Sequence, residues 1–297
     1  MDLMIETPLP AGPGETREGT RFYTTPGGKG GNQAVAAARL AGKAGTVRMV
    51  GKIGDDIFGA EMKAFLEKEG IETHFLGVES GVSSGIAAIF IDSTGQNYVN
   101  AVYGANALCD QGQVDAVDRA LEGVGALLVQ QEIPLETTAG AMKLARRRNI
   151  PVIMDPAPTR QVKWSFYSDV VILTPNQTEA EAVSGVPVVD VDSAHRAAVE
   201  IRKRGIPVAI VTLGEDGAWV ESENVSSHLT PHKVEVVATV GAGDAFNGGL
   251  AVGLAAGLDL VSAARIGMAT GALCVTHPGA QDAMPTWEEV ARLMGRS

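Results

Sequence analysis

Residues 238–252 read ATVGAGDAFNGGLAV. A β-branched lead-in runs into Gly241-Ala242-Gly243-Asp244, and an apolar helical pattern follows at once. Small residues at the start of a helix let a ligand approach the backbone. The first amides of a helix have no partner within it, and the helix dipole adds positive potential there. Together they make a seat for a phosphate or another developing anion. Asp244 stands inside that seat. A carboxylate repels phosphate, so its fitting role is to take a proton from an attacking hydroxyl. The same residues also fit a Gly-rich turn closed by an ordinary Asp cap.

A second cluster, PGGKGGNQAVAAARL at 26–40, places Lys29 and Asn32 among glycines ahead of an Ala-rich helix. Lys and Asn side chains donate hydrogen bonds to hydroxyls, and glycines let the backbone come close. The spacing is not that of a Walker A loop, since no Lys-Ser or Lys-Thr pair follows. A flexible turn before a helix remains open on these residues alone.

Such groups need a frame. Apolar β-branched runs at 125–131, 151–155, 169–175 and 208–214 read as strands. Thr137–Arg148, Thr178–Ser184 and Ser193–Arg204 read as helices between them. Continuous apolar strands separated by helices predict a parallel sheet covered on both faces. Ligands bind such sheets beyond the carboxyl ends of the strands. Glu132, Asp155, Asn176 and Thr212-Leu213-Gly214 fall just after strand candidates, which predicts one shared cleft. Two regions break the alternation. Residues 8–26 are rich in Pro, Gly and Thr, and 73–105 alternate like strands. Within the latter, IAAIFIDSTGQNYVNAV reads as a β-hairpin. The two segments are expected to form a small antiparallel sheet that projects as a lid.

The chain has 297 residues, 45% hydrophobic and 20% charged, with a net charge of −11. That is enough for one large α/β domain with a sizeable core. The acidic balance argues against nucleic acid or an anionic membrane as partner. Cys109 and Cys274 stand far apart, in no metal-ligand spacing, and read as two reduced thiols of a cytoplasmic protein. No apolar run reaches membrane-spanning length, and MDLMIETPLPAGPGE lacks the layout of a signal peptide.

Taken together, PGGKGGNQAVAAARL and VGAGDAFNGGL resemble the two signatures of the ribokinase family of sugar kinases, the phosphofructokinase-B type. The resemblance runs nearly the whole chain. VGKIGDDIFG (50–59), YGAN (103–106), TPNQTEAE (174–181), VTLGEDGAW (211–219) and HPGAQDAMP (277–285) fall in family order. It implies a single three-layer α/β/α domain, Rossmann-like with a mostly parallel central sheet, and a β-sheet lid through which two copies pair. It implies transfer of the ATP γ-phosphoryl group to a primary hydroxyl, O5 in the case of ribose, with Mg²⁺. Asp244 matches the family's catalytic base, and Gly241, Ala242 and Gly243 its anion hole. Asp2, Gly28, Lys29, Asn32 and Glu132 match sugar-contacting positions. Asn176 and Glu179 match an Asn-x-x-Glu motif that organises the metal–phosphate end of the nucleotide through water. Thr212, Gly214 and Gly217 match nucleotide-contacting positions.

The chain departs from that pattern in three places. Family members open with an apolar strand ending in Gly-Ser-x-Asn-x-Asp, of which only Asp2 has a counterpart here. A start upstream of Met1 is the favoured expectation, and a truncated, weakened protein the other. A missing central strand is expected to leave unpaired backbone groups and uncovered apolar surface. Ala238 stands where ribokinases usually carry an Asp that helps bind K⁺. Carbonyls near Val240, Cys274, His277 and Gly279 remain for a weak cation site, so little or no K⁺ activation is expected. Gln177 replaces a common Glu, a minor change. The competing expectations are a kinase of fructose, 2-keto-3-deoxygluconate or adenosine, and a sensor that binds sugar or nucleotide without turnover.

Overall fold

The computed structural model of the protein describes residues 1–295. Along the chain run β1 (Asp2–Glu6), β2 (Arg21–Thr25), α1 (Lys29–Ala41), β3 (Gly51–Gly54), α2 (Ile57–Lys68), β4 (Leu76–Glu79), β5 (Ile86–Ile91) and β6 (Asn97–Val102). Then follow α3 (Gln111–Ala120), β7 (Leu127–Val129), α4 (Leu135–Arg147), β8 (Val152–Met154), β9 (Ile172–Leu173), α5 (Gln177–Ser184) and α6 (Val191–Lys203). The last third holds β10 (Val208–Thr212), β11 (Ala218–Glu221), β12 (Ser226–Leu229), α7 (Ala242–Ala255), α8 (Leu260–Cys274) and α9 (Trp287–Leu293).

The strands of the body obey the two-residue alternation of a sheet buried on both faces. Val152 and Met154 point into one apolar layer, against Met142 of α4 and Ile201 of α6. Ile153, between them, points into the opposite layer, with Ile210, Phe246 and Leu250. All three β8 side chains are fully buried. The result is a three-layer α/β/α body. Its main sheet has the order β12-β11-β10-β9-β8-β7. Strands β7 to β10 run parallel, and β11 and β12 add an antiparallel edge. That hairpin lies in residues to which the sequence reading assigned no strand. Helices start on side-chain caps where the sequence supplies them: Asp110 and Asp190 each close a capping box. Helix α7 sits close to α1 because Gly248 faces it, where a Cβ would lie 2.6 Å from that of Ala36.

The projecting sheet has the order β2-β1-β5-β6. The β5–β6 hairpin pairs Ile86 with Val102 through to Ile91 with Asn97. Asp92 closes its turn by accepting from the Thr94 and Gln96 amides. Two expectations are corrected here. The sheet takes in Asp2–Glu6, ahead of residue 8, while Leu76–Glu79 pairs with β3 in a separate two-stranded sheet. It is also not purely antiparallel, since β1 runs parallel to β5. Apolar Met4 and Ile5 next to Ile89 and Phe90 account for β1 joining this sheet. Among the described residues, no strand pairs with the outer edge of β7 or with β3 on the side away from β4. No helix of the described residues is long and apolar enough to cross a membrane. Cys109 and Cys274 are buried and unbridged.

Candidate active site

The glycine cluster at 26–28 turns the chain from β2 into α1. Asp2 leaves no room for a side chain at Gly27, where a Cβ would meet its carboxylate at 2.2 Å. At the first turn of α1, the Lys29 amide donates to Glu132 Oε2 at 2.9 Å. Glu132 follows β7, so this bond ties the sheet end to the helix start. The same turn presents Asn32 and Gln33, both buried, to the start of α7.

Helix α7 begins at Gly241, whose φ of 80° lies in the left-handed region. Its first internal bond runs from the Ala245 amide to Gly241 O. The amides of Ala242, Gly243 and Asp244 precede that bond; the Ala242 amide reaches Thr239 O at 3.4 Å. A Cβ built on Gly243 would meet nothing within 4 Å, so the helix entrance opens onto free space. Bare backbone and the positive end of the helix dipole coincide here, at the residues from which the sequence led us to expect an anion seat. Thr174, at the end of β9, holds it in place. Its hydroxyl donates to Asn247 Oδ1 at 2.7 Å, and Asn247 Nδ2 donates to Gly243 O at 3.0 Å.

Asp244 is 6% exposed and points at α1. Asn32 Nδ2 donates to its Oδ2 at 2.8 Å, and Gln33 Nε2 donates to its Oδ1 at 3.0 Å. Gln33 Nε2 also donates to Asp155 Oδ2 at 2.9 Å. Gln130 Nε2 donates to Gln33 Oε1 and so fixes which end of that amide faces the acids. One side chain therefore bridges two buried carboxylates. Lys29 Nζ lies 3.9 Å from Asp155 Oδ2.

Burial pushes the Asp244 carboxyl above its ordinary value, and the Lys29 charge and the two amide bonds oppose that. Burial pushes Asp155 well above the carboxylate range, again against Lys29. It also raises Asp2 and Glu132. Burial works against the Lys29 charge, but Asp155, Asp244 and Glu132 outweigh it and hold the ammonium above its usual value. A base with a raised pKa near a helix N-terminus suits proton abstraction from an alcohol.

Asp2, Gly28, Lys29, Asn32, Glu132 and Asp244 all line one cavity. Gln281, within the HPGAQDAMP stretch but given no role there, lines it too. Asn32 Oδ1 and Gln281 Oε1 are buried and have no donor among the described residues. An unpaired buried acceptor costs about 1–3 kcal/mol. Hydroxyl groups of a ligand are the donors that fit.

The residues assigned to the nucleotide lie apart from that cavity. Asn176 and Glu179 form a reciprocal capping box at the start of α5, with bonds of 2.9 and 3.0 Å. Asn176 also bridges to Thr212. Gly214 and Gly217 shape the turn from β10 to β11, with φ of 58° and 89°. Of the residues weighed for a cation, Val240 O accepts from Cys274 Sγ at 3.7 Å and Cys274 O from the His277 amide at 3.3 Å. The Ala238 amide donates to Val275 O. His277 is exposed and Gly279 has a φ of 97°. Gln33, Gln130, Gln281, Thr174 and Asn247 escaped sequence reasoning. Gln33 and Asn247 stand as polar residues inside helical patterns, Gln130 and Thr174 at strand ends and Gln281 in a loop, positions that carry no signal of their own.

Known proteins carry the same plan. The model of the pfkB family of carbohydrate kinases matches residues 1–287. A ribokinase of Haemophilus influenzae is 35% identical over 99% of this chain and 95% of its own. A deoxyribokinase of Salmonella typhi is 34% identical over 97% and 94%. The structure of Arabidopsis thaliana ribokinase complexed with ribose and ATP superposes with a TM-score of 0.88, at 27% identity, covering 100% of this chain and 96% of that one. The family match over residues 1–287 and these near full-length relatives agree with an acid at a glycine-flanked helix entrance: the chain belongs to the pfkB family of carbohydrate kinases.

Proposed function

We propose that the protein phosphorylates the primary hydroxyl of a pentose, D-ribose to D-ribose 5-phosphate, with ATP as donor. The observation that carries this reading is the buried Asp244 carboxylate held by Asn32 and Gln33 at the bare entrance of α7. The sugar lies in the cavity, with hydroxyls donating to Asn32 Oδ1, Gln281 Oε1, Asp2 and Glu132. Lys29 donates back to sugar oxygens and balances part of the acidic charge. Asp244 takes the proton of the acceptor hydroxyl. The freed oxygen attacks the γ-phosphorus in line, and the bond to the ADP oxygen breaks. The amides of Gly241, Ala242, Gly243 and Asp244 stabilise the transferring group. The projecting sheet closes over the sugar as a lid and excludes water.

The nucleotide extends past Thr212, Gly214 and Gly217. Glu179 Oε2 accepts the Asn176 amide at 2.9 Å at the start of α5. Glu179 and Asn176 would serve a phosphate-bound Mg²⁺ as outer-sphere acceptors, through water. When bound, the metal neutralises phosphate charge. With Ala238 in place of a carboxylate, activation by K⁺ over a non-binding cation at equal ionic strength is expected to be weak or nil. A large increase would overturn that assignment.

Phe22 and Tyr98, in one row across β2-β1-β5-β6, leave apolar surface exposed on one face of the projecting sheet, which supports a homodimer through the lids. Sedimentation velocity checks it: a monomer at micromolar concentration contradicts the pairing. The substrate test is ATP turnover over a panel of ribose, 2-deoxyribose, fructose, 2-keto-3-deoxygluconate and adenosine. Ribose is expected to give the highest kcat/KM. Preference for 2-deoxyribose, the second reading favoured by the Salmonella relative, shifts the substrate but keeps the chemistry. Sugar binding with no ADP release from any of them would overturn the kinase reading in favour of a sensor.

A further inference from the structure

The turn at 280–284 touches two separate parts of the site at once. The Ala283 amide bonds Ala280 O at 3.2 Å and the Met284 amide bonds Gln281 O at 3.3 Å, so these residues form one compact unit. Ala280 and Met284 press on the entrance of α7. A Cβ built on Gly241 would lie 3.3 Å from Ala280 Cα and 3.3 Å from Met284 Cε. Gly241 has a φ of 80° and no side chain to restrict it. The direction of the first α7 amides is therefore set by what packs on Gly241 from outside.

Gln281 reaches the other way. It is buried, and its Nε2 donates to Gly27 O at 3.3 Å, in the glycine cluster ahead of α1. A Cβ on Gly31 would meet that nitrogen at 2.8 Å, so the amide lies close against the first turn of α1. Arg39 anchors the rest of the turn to the same helix by donating to Asp282 O and Met284 O.

A backbone carbonyl only accepts, so Gly27 O fixes Nε2 and leaves Oε1 free to accept. Oε1 is buried with no donor among the described residues, and Gln281 lines the cavity beside Asp2, Gly28 and Lys29. Asn32 is held in the same manner, with Nδ2 spent on Asp244 and Oδ1 left without a donor. Packing alone does not call for such a side chain, since Met284 of the same turn fills its place among Ala245 and Cys274 with an apolar one. A buried amide with its donor end used and its acceptor end open is half of a bridge.

We propose that Gln281 is a positioning residue that couples the sugar site to the phosphate seat. The proposal rests on the sugar-kinase reading above. A sugar hydroxyl donates to Oε1, and the amide is then tied at both ends, to Gly27 and to the sugar. The 280–284 turn is fixed with it. Ala280 and Met284 then hold Gly241 in the conformation that aims the amides of Gly241, Ala242 and Gly243 at the transferring group. Without sugar the Gln281 amide is tied at one end only, so the acceptor itself completes the seat for its phosphate.

The test is the Kd of the magnesium complex of a non-hydrolysable ATP analogue, with and without saturating ribose, in the parent, Gln281→Leu and Gln281→Glu. Ribose is expected to tighten the analogue about 10-fold in the parent, and the analogue to tighten ribose by the same factor. In Gln281→Leu the coupling should fall below about 2-fold, and kcat should drop about 10- to 100-fold. Gln281→Glu gives a readout that a space-filling role would not move. Its neutral carboxyl can donate to Gly27 O and accept from the sugar, whereas its carboxylate repels Gly27 O. Coupling in this variant, read against the parent at each pH, should return as pH falls from about 8 toward about 5. Parent-like coupling in Gln281→Leu overturns the proposal, and so does a parent whose affinity for the analogue ignores ribose. If that parent still phosphorylates ribose, the kinase reading stands without the coupling; a parent that binds no ribose removes both. Should Gln281→Leu fail to fold, the Gln281→Glu series decides alone, and a coupling that does not change with pH relative to the parent overturns the proposal.

Discussion

The two regions proposed for the acceptor sugar and for the nucleotide are built from different materials. The proposed acceptor half is a network of buried and half-buried ionisable side chains. Asp244 and Asp155 share Gln33, Glu132 grips the α1 amide, and Lys29 is the cation among them. The donor half is backbone and caps. Asn176 and Glu179 hold each other, Asn176 is exposed, and Gly214 and Gly217 supply turn geometry. A sugar is recognised by hydroxyls, which need placed acceptors. A triphosphate is recognised by charge, for which helix-end amides serve well. On this proposal precision is concentrated around Asp244, and substitutions in the two halves are expected to differ in kind.

The largest effect is expected from Asp244→Asn. Turnover should fall about 10³-fold, the middle of the range for losing a general base, while the sugar Kd from calorimetry changes little. Retained turnover would erase the distinction between the halves. Next comes Gln33→Leu, which removes the bridge between two buried acids. A decrease in kcat of about 10- to 100-fold follows from losing hydrogen bonds to charged groups. KM for ATP should stay near its starting value, and a matched rise in it would show that the halves are not separable.

Asp155→Asn tests the electrostatics rather than the chemistry. Asp155 has a folded pKa well above its unfolded one, so folding takes up a proton there. The stability it contributes is present at low pH and is lost as pH rises past the unfolded value toward the folded one. An Asn keeps an oxygen to accept from Gln33 and does not ionise. Thermal melts should therefore show the variant gaining on the parent as pH rises from mildly acid to neutral. A constant offset across pH would mean that Asp155 is not the strained acid. The smallest effect belongs to the donor half. Asn176→Ala should cost about 1 kcal/mol of stability as a lost cap. It should raise KM for ATP a few-fold and leave the sugar Kd unchanged.

Much of this division was legible in the chain itself. The two glycine-flanked motifs, the four parallel strands and the hairpin at 86–102 carry local signals: small residues, continuous apolar runs and an Asp-Ser-Thr-Gly turn. What escaped depends on contacts without a local signature. Gln33 sits inside an Ala-rich helix pattern, and its partners Asp155 and Asp244 are 122 and 211 residues away. Thr174 and Asn247 read as ordinary strand-end and helix residues until the fold brings them together. Leu76–Glu79 alternates like the projecting strands, yet its partner is Gly51–Gly54, because tertiary pairing overrides segment pattern. The Asn-x-x-Glu motif could be read either as a cap or as a phosphate organiser. The structure contains the cap, and the second role belongs to the proposal.

The central claim is that Asp244 removes the acceptor proton. Its most direct test is the pH dependence of single-turnover phosphoryl transfer to ribose with ATP saturating, in the parent and in Asp244→Asn. The parent rate should climb with pH through an ionisation above the ordinary carboxylate value, as the burial of Asp244 requires. In the variant that limb should vanish, leaving a slow, flat profile. If the same limb persists in Asp244→Asn, another group takes the proton and the account is wrong.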